Sequence, residues 1–358
     1  MSLSSSFDNM MPDDKFLRDG FGRKIDYLRL SVTDRCDLRC VYCMPKKMKF
    51  LPKKDILELE ELLVIAKIFI NLGVKKIRLT GGEPLVRKNI LWLIEKLGGE
   101  LSNDSGLQEL TMTTNGTQLA GLAIKIFTAG IKRINVSLDS LKPDVFSRIT
   151  RGGDLLQVMQ AIKMAKTIGL AIKINMVVMK HINDGEVHDM IKWCGDHGYD
   201  ITLIEIMPMG DIGDAVGDGD MGEENWSLRH EQYMPLSLVR SDIMAHWQLE
   251  KSDYRTSGPA NYYLCRDTGQ KIGFITPLTN HFCATCNRVR LTTSGKLFLC
   301  LGKDDMVDLR AALRLGGESA VKENIINAMM KKPLSHDFVI HRGDGNISQK
   351  RAMVETGG

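Results

Sequence analysis

Six times in its first 208 residues the chain runs a short β-rich segment into a segment of helical period. The strand-like runs are DYLRLSVT (26–33), KKIRLT from Lys75, LTMTTN (110–115), RINVSLD (133–139), AIKINMVV (171–178) and ITLIEIMP (201–208). Between the first two, LELEELLVIAKIFINLG sets Leu59, Leu62, Leu63, Ala66, Phe69 and Ile70 on one face at 3.6-residue spacing, and Gly73 stands where a glycine ends a helix. Repeated β-then-α units demand right-handed crossovers and a parallel sheet, which leaves a doubly wound sheet or an open, TIM-like barrel. Polar or reactive residues decide for the barrel. Cysteines follow the first run, GGEP the second and TTNG the third; Ser137 to Asp139 end the fourth, and Glu205 to Pro208 end the sixth. Barrels build their sites from the C-terminal ends of their strands, so one pocket can collect all of these. The expected fold class is α/β, an incomplete (βα)6 TIM-like barrel with a C-terminal accessory region.

At 358 residues the chain has room for both. The division expected is an N-terminal extension over 1–22, the partial barrel over 23–225 and the accessory region over 226–358. The Gly/Asp-rich stretch MGDIGDAVGDGDMGEEN reads as a solvated connection. Beyond it QLEKSDY, NYYLCRD, KIGFITPL and RVRLTTSGKLFLCL are expected as short antiparallel strands, and two helices are expected within 304–332. Hydrophobic residues at 43% and charged residues at 26% fit a soluble globular protein, and no apolar run reaches the ~18 residues of a membrane span. The segment MSLSSSFDNMMPDDK has no apolar core and carries Asp8, Asp13 and Asp14, unlike a secretory or transit signal, so a cytoplasmic chain is expected. A formal net charge of +4 without a Lys/Arg run announces no nucleic-acid surface.

In a reducing compartment, clustered cysteines read as metal ligands or catalytic thiols. TDRCDLRCVYCMP holds Cys36, Cys40 and Cys43 within eight positions. Three thiolates in a loop just past a strand can ligate three irons of a cubane cluster and leave the fourth iron open; the competing reading is a zinc site completed by a histidine. Here the sequence resembles the radical S-adenosylmethionine (SAM) superfamily, in which SAM occupies that open iron. In the superfamily an aromatic residue precedes the third cysteine, as Tyr42 does, and GGEP at Gly81 to Pro84 matches the stretch that binds the SAM amino group. The resemblance implies a [4Fe–4S] cluster that reduces SAM and releases a 5′-deoxyadenosyl radical, with the protein left to position, tune and exclude water.

NHFCATCNRVRLTTSGKLFLC carries a second triplet, Cys283, Cys286 and Cys300. By itself this is equally a zinc signature, with Cys265 or His281 as the fourth ligand. Both triplets together with NRVR, FGRKIDYLRLSVTDRC, IRLTGGEPLVR, TTNG, INVSLD, IEIMP and the final Gly357–Gly358 resemble the GTP 3′,8-cyclase family, also called molybdenum cofactor biosynthesis protein A, over nearly the whole chain. That resemblance implies a second [4Fe–4S] cluster whose open iron binds guanine. By motif match, Arg29, Lys76, Arg78, Lys173, Arg288 and Arg290 fall on triphosphate-binding positions, Val289 lies between the last two, and Thr113 falls on a nucleotide contact. Gly82, Ser137 and Met207, beside Tyr42, fall on SAM contacts. Arg29, Arg78 and Lys173 sit within strands, where alternation sends side chains into the lumen, and basic residues gathered there need an anion. One position departs: Thr202 stands where the family commonly has Arg. The Gly-Gly tail is expected to enter the active site, and Cys194 and Cys265 to be structural thiols.

The resemblance thus implies an enzyme that takes hydrogen from C3′ of GTP, lets the ribose radical attack guanine C8 and forms (8S)-3′,8-cyclo-7,8-dihydroguanosine 5′-triphosphate, the first step of molybdenum cofactor biosynthesis. No acid or base catalyst is assigned. Implied partners are GTP, a downstream cyclic pyranopterin monophosphate synthase, an external electron donor and a second copy in a homodimer, without nucleic acid or membrane. The competing functions are a radical SAM peptide-modifying enzyme with an auxiliary Fe–S domain and a zinc-stabilised binding protein without catalysis.

Overall fold

The six segments form strands β1 (Tyr27–Ser31), β2 (Lys76–Thr80), β3 (Glu109–Thr114), β4 (Arg133–Ser137), β5 (Ala171–Val178) and β6 (Asp200–Glu205), paired parallel in chain order. The computed structural model of the chain describes residues 16–102, 106–210, 232–279, 282–338 and 351–357. Most of the expected N-terminal extension, the Gly/Asp-rich stretch beyond Gly210, His281 and Gly358 lie outside the described residues. Helices α1 (Leu59–Asn71), α2 (Ile90–Gly98), α3 (Leu119–Thr128), α4 (Pro143–Thr150), α5 (Leu155–Ile168) and α6 (Val187–Asp196) make the crossovers. In α1 the expected face is buried, joined by Ile65 and Ile68, while Leu63 is only half-buried. The helix starts at a capping box of Glu58 and Glu61 and stops before Gly73, whose φ of 95° a side chain would strain.

The accessory region corrects one expectation. Its strands are β7 (Leu249–Lys251), β8 (Asn261–Cys265), β9 (Lys271–Ile275), β10 (Arg288–Leu291), β11 (Lys296–Phe298) and β12 (Met306–Asp308). The hairpin pairs β7–β8, β8–β9, β10–β11 and β11–β12 are antiparallel as expected, but β9 runs parallel to β6, and β10 runs parallel to β1. One twelve-stranded sheet results, in the order β12-β11-β10-β1-β2-β3-β4-β5-β6-β9-β8-β7, with eight parallel strands at its centre. A six-stranded open barrel leaves a row of unpaired backbone groups at each edge, and the accessory strands satisfy them. Alternating Arg288, Val289, Arg290 and Leu291 suits either pairing direction, so the local sequence could not distinguish them. After α7 (Leu236–His246), the two helices expected near the end appear as α8 (Leu309–Met329), broken at Gly317 by a non-helical φ of 66°.

Strand alternation sorts the core. Leu28, Leu30, Ile77, Leu79, Leu110, Met112, Ile134, Val136, Ile172, Ile174, Ile201 and Leu203 turn outward into one buried cluster with the helices, each contributing about 1.5–3 kcal/mol by burial. The residues between them turn into the lumen. Among the described residues no helix is long and apolar enough to cross a membrane.

Glu205, fully buried at the end of β6, ties the accessory region to the barrel. Its carboxylate accepts from the backbone N–H of Leu236 at 3.1 Å, of Leu278 at 3.1 Å and of Thr279 at 3.3 Å, and from the Thr279 hydroxyl. Glu205→Ala orphans these donors, at about 1–3 kcal/mol for each one that stays buried. We expect thermal unfolding to fall by several degrees, and an unchanged midpoint would show that the carboxylate does not hold this junction.

Candidate active site

The lumen is polar and predominantly basic. Tyr27 and Arg29 on β1, Lys76 and Arg78 on β2, Thr111 and Thr113 on β3, Arg133 and Asn135 on β4, Lys173 and Asn175 on β5, and Arg288 and Arg290 on β10 share the inward parity. Arg29 is in register with Arg78 on one side and Arg290 on the other, and Asn135 with Thr113 and Lys173. Arg78 donates to Thr113 Oγ1 at 3.2 Å. Its Nε, together with Thr80 Oγ1 and Asn135 Oδ1, is buried without a hydrogen-bond partner among the described residues. Buried polar atoms in that state call for a partner, which a bound ligand or water can supply.

The first cysteine loop follows the C-terminal end of β1 and is fastened on three sides. Arg39 and Val41 donate through their backbones to Thr150 O and Ile149 O at 3.0 and 2.9 Å, and Arg151 reaches Arg39 O and Met44 O at 3.1 and 3.0 Å. Asn115 of TTNG donates to Cys36 Sγ at 3.6 Å and to Asp37 at 2.8 Å. GGEP lies directly beneath the loop. Gly82 N–H donates to Thr33 O and Glu83 N–H to Arg35 O, both at 2.8 Å, and a Cβ on Gly82 would lie 2.3 Å from Arg35 O. Glu83, fully buried, accepts from Thr114 Oγ1 at 2.8 Å and Asn115 N–H at 2.6 Å, and burial pushes its carboxyl up to about 7. Tyr42 donates to Asp139 at 2.8 Å, and Asp139 also accepts from Val177 N–H at 2.8 Å; burial holds this carboxyl up, at about 6.

The second triplet sits at the opposite end. Cys283 and Cys286 precede the N-terminal end of β10, and Cys300 follows β11, which runs back against it. Arg23 of the FGRK segment donates to Cys283 O at 2.7 Å and to Pro333 O at 2.7 Å, anchored by Asp19 at 2.6 Å. Buried Lys332 donates to Leu299 O beside Cys300.

All eight cysteines are free thiols. Burial pushes Cys36 up to about 12 and raises Cys40 and Cys300, so these are neutral thiols unless a cationic centre takes them as thiolates; Cys286 is lowered, because Arg288, Lys332 and Arg23 outweigh its burial. The donor spacing bears on which kind of centre the triplets suit. One tetrahedral zinc ion would hold its thiolates about 3.8 Å apart, whereas among the described residues neither triplet has its three sulfurs within 4.8 Å of one another. The irons of a cluster occupy separate corners and fit wider spacing. The described group close enough for a single ion is His188, Asp242 and His246 on the outer helices. There Trp247 Nε1–H donates to His188 Nδ1 at 3.0 Å, so the proton of the neutral ring is on Nε2 and points at Asp242, 2.7 Å away. The Nε2 lone pair needed for a metal is therefore not available in this arrangement.

Nearly all expected site residues line one cavity. Cys36, Cys40, Cys43, Tyr42, Gly82, Ser137, Met207, Arg29, Arg78, Thr113, Lys173, Cys283, Cys286, Cys300, Arg288, Val289 and Arg290 surround it, and Lys76 does not. Lys76 is buried and pairs with Glu109 at 2.7 Å, which also binds Arg133. Val289 turns its side chain into the outer core and can offer the cavity only its backbone. Thr202 faces the lumen next to Gly273, and the absence of a Cβ there lets the Tyr262 ring lie close; the Tyr262 hydroxyl meets Lys173 Nζ. Cys194 and Cys265 are fully buried in the outer core. Gly357 of the tail reaches the lumen: its carbonyl accepts from Arg29 at 2.8 Å, and a Cβ at its φ of 78° would lie 2.4 Å from Thr80 Oγ1. Sequence reasoning missed Tyr27, Tyr262, Glu109 and Arg133; the parity of Tyr27 with Arg29 was the available signal.

Residues 30–194 match the family model of the radical SAM superfamily, and residues 199–338 match that named Molybdenum Cofactor Synthesis C. The chain is 50% identical to the GTP 3′,8-cyclase of Rhizobium etli over 95% of this chain and 94% of that one. It is 51% identical to that of Mesorhizobium japonicum over 95% and 99%, and 50% identical to that of Brucella canis over 95% of each. Among solved structures it resembles Streptococcus suis SuiB bound to S-adenosylmethionine, with a TM-score of 0.57 at 13% identity over 87% of this chain and 66% of the longer SuiB chain. That likeness is one of fold.

The glycines of GGEP predict a steric result. In Gly82→Ala the new methyl meets the backbone of the first cysteine loop, so iron per chain should fall from about eight, two full cubanes, toward about four, with the second triplet still loaded. Full iron content in the variant would show that the close approach does not constrain the loop.

Proposed function

Because this chain belongs to the radical SAM superfamily and, within it, to the GTP 3′,8-cyclases, we propose that its cavity converts GTP to (8S)-3′,8-cyclo-7,8-dihydroguanosine 5′-triphosphate between two [4Fe–4S] clusters. Cys36, Cys40 and Cys43 would hold the first cluster, with Tyr42, Gly82, Ser137 and Met207 around its SAM. Cys283, Cys286 and Cys300 would hold the second, facing guanine. When bound, the first cluster and SAM supply a radical able to abstract hydrogen; the chain's own residues bind, orient and keep water out. We assign residues 23–225 to the SAM-binding barrel and 226–358 to the substrate-side region.

One observation carries the reading: a single cavity has a cysteine triplet at each end and inward-facing guanidinium groups between. Arg29, Arg78, Arg288 and Arg290 match the fork geometry that phosphate oxygens accept, and Lys173 adds a point charge. Lys76, held by Glu109, contributes at longer range. Thr113 keeps Arg78 aimed. The tail carbonyl of Gly357 already lies on Arg29, so the tail is part of the same pocket wall. Asp139, Glu83 and Asn115 position the first loop rather than transfer protons.

Our reading adds a pterin-forming synthase that consumes the product, an external electron donor, a homodimer and a cytoplasmic location, since free cysteines and open clusters need a reducing compartment. SuiB has also been solved with its precursor peptide, but a fold likeness at 14% identity gives no substrate, and relatives at about 50% identity favour the nucleotide. Reduced, iron-reconstituted protein given SAM and GTP should yield 5′-deoxyadenosine and a cyclised GTP isomer; Cys286→Ala should lose GTP cyclisation while retaining SAM cleavage. Intact clusters with neither product would overturn the proposal.

A further inference from the structure

Tyr27 is among the lumen residues that the triphosphate reading leaves without a role. It is 2% exposed, shares the inward face of β1 with Arg29 and is in register with Lys76 on β2 and Arg288 on β10. The Lys76 ammonium lies 5.1 Å from its ring centroid, the Arg29 side chain hydrogen-bonds to it, and Arg78 and Arg288 act on it through space. Arginine and lysine donate and never accept, so the phenol oxygen can accept from these groups while its own proton finds no acceptor among them. Arg290 faces the lumen two positions beyond Arg288, and the carboxylate at this level, Glu109, is taken by Lys76 and Arg133. Burial raises the phenol, but the four cations more than reverse that and bring it to about 7.

Lys173, across the lumen, responds to the same excess of positive charge. Its ammonium meets the Tyr262 hydroxyl and faces Arg133, Arg78, Asp200 and Glu109; burial first, then the cations, lower it to about 7. An empty lumen therefore sheds protons from both groups.

We propose that Tyr27 is the resident counter-anion of the lumen: it stands as a phenolate among the guanidinium groups in the empty protein and takes a proton from solvent when triphosphate arrives, so that nucleotide binding is coupled to proton uptake at Tyr27 and, in parallel, at Lys173. The proposal rests on the triphosphate occupying the basic lumen. The sign follows from charge. Polyphosphate repels the phenolate and favours the ammonium, so both groups hold protons more tightly in the complex. Above pH 7 the empty protein must acquire those protons on binding, and affinity falls as pH rises, by up to about tenfold per pH unit for each proton taken up.

The test is calorimetric titration of GTP into cluster-loaded, SAM-bound protein under anaerobic conditions between pH 7.5 and 9, where the terminal phosphate, with a pKa of about 6, is already ionised. Heats in buffers of different ionisation enthalpy should report uptake approaching two protons, with affinity falling by as much as about 100-fold per pH unit. Tyr27→Phe should remove one proton and about tenfold per unit of that slope, and should bind GTP more tightly than the parent protein at pH 9. Lys173→Arg should remove the other proton. No proton uptake by the parent protein, or an unchanged slope and uptake in Tyr27→Phe, would overturn the proposal. Arg78→Ala separates the two readings: if it leaves GTP affinity unchanged, the triphosphate assignment has failed, whatever Tyr27 does.

Discussion

Like charge gathered where water is scarce has to be answered by opposite charge, and this barrel gathers Arg29, Lys76, Arg78, Arg133, Lys173, Arg288 and Arg290 around one lumen. At an effective dielectric constant near 20, a charge pair 4 Å apart interacts by about 4 kcal/mol, so the set is costly to assemble unless compensated. The fold compensates it in part. Glu109 binds Lys76 and Arg133, Tyr27 stands among the arginines, Tyr262 meets Lys173, and the carbonyls of Gly357 and Thr356 accept from Arg29 and Arg290. What stays unsatisfied, Arg78 Nε and Asn135 Oδ1 among it, faces the cavity. The remaining positive charge is what a triphosphate would neutralise.

The outer layer makes such a lumen tolerable. Every inward polar residue on β1 through β6 alternates with an aliphatic one locked against the helices, so the lumen is shaped by a core it does not belong to. The accessory region completes the enclosure by adding parallel strands at both sheet edges and by bringing Arg288 and Arg290 into register with Tyr27 and Arg29. It also sets the polarity of the site. The first cysteine triplet stands at the C-terminal end of β1, where barrel enzymes carry their chemistry, and the second stands at the N-terminal end of β10. The cavity therefore runs along the barrel between two cysteine triplets.

The six βα units, the α1 face, the inward parity of Arg29, Arg78 and Lys173, and both cysteine triplets could be read from the chain because each depends on local spacing. The parallel docking of β10 could not, since Arg288 to Leu291 alternate equally well in either direction and its partner Tyr27 to Leu30 stands at the other end of the chain; nor could that of β9, whose partner β6 is separated from it by the whole β7–β8 hairpin. Lys76 shows the limit of motif matching. It has the right parity and charge, but Glu109, in register one strand over, holds its ammonium, and only the sheet reveals that neighbour. Glu205 and Asp139 looked like site residues because they end strands, yet their oxygens are used by backbone and hydroxyl donors that fix loops. The glycines of GGEP have a local reason that sequence could not supply: the cysteine-loop backbone passes too close for a Cβ.

We propose that two incompletely ligated clusters face each other along one basic lumen. Anomalous scattering at the iron edge from crystals of anaerobically reconstituted protein tests it most directly. Two four-iron clusters are expected at opposite ends of the barrel, one on Cys36, Cys40 and Cys43 and the other on Cys283, Cys286 and Cys300, each with an iron that no protein atom ligates. A single zinc ion at either triplet, or a fourth protein ligand such as His281 closing the second, would contradict it.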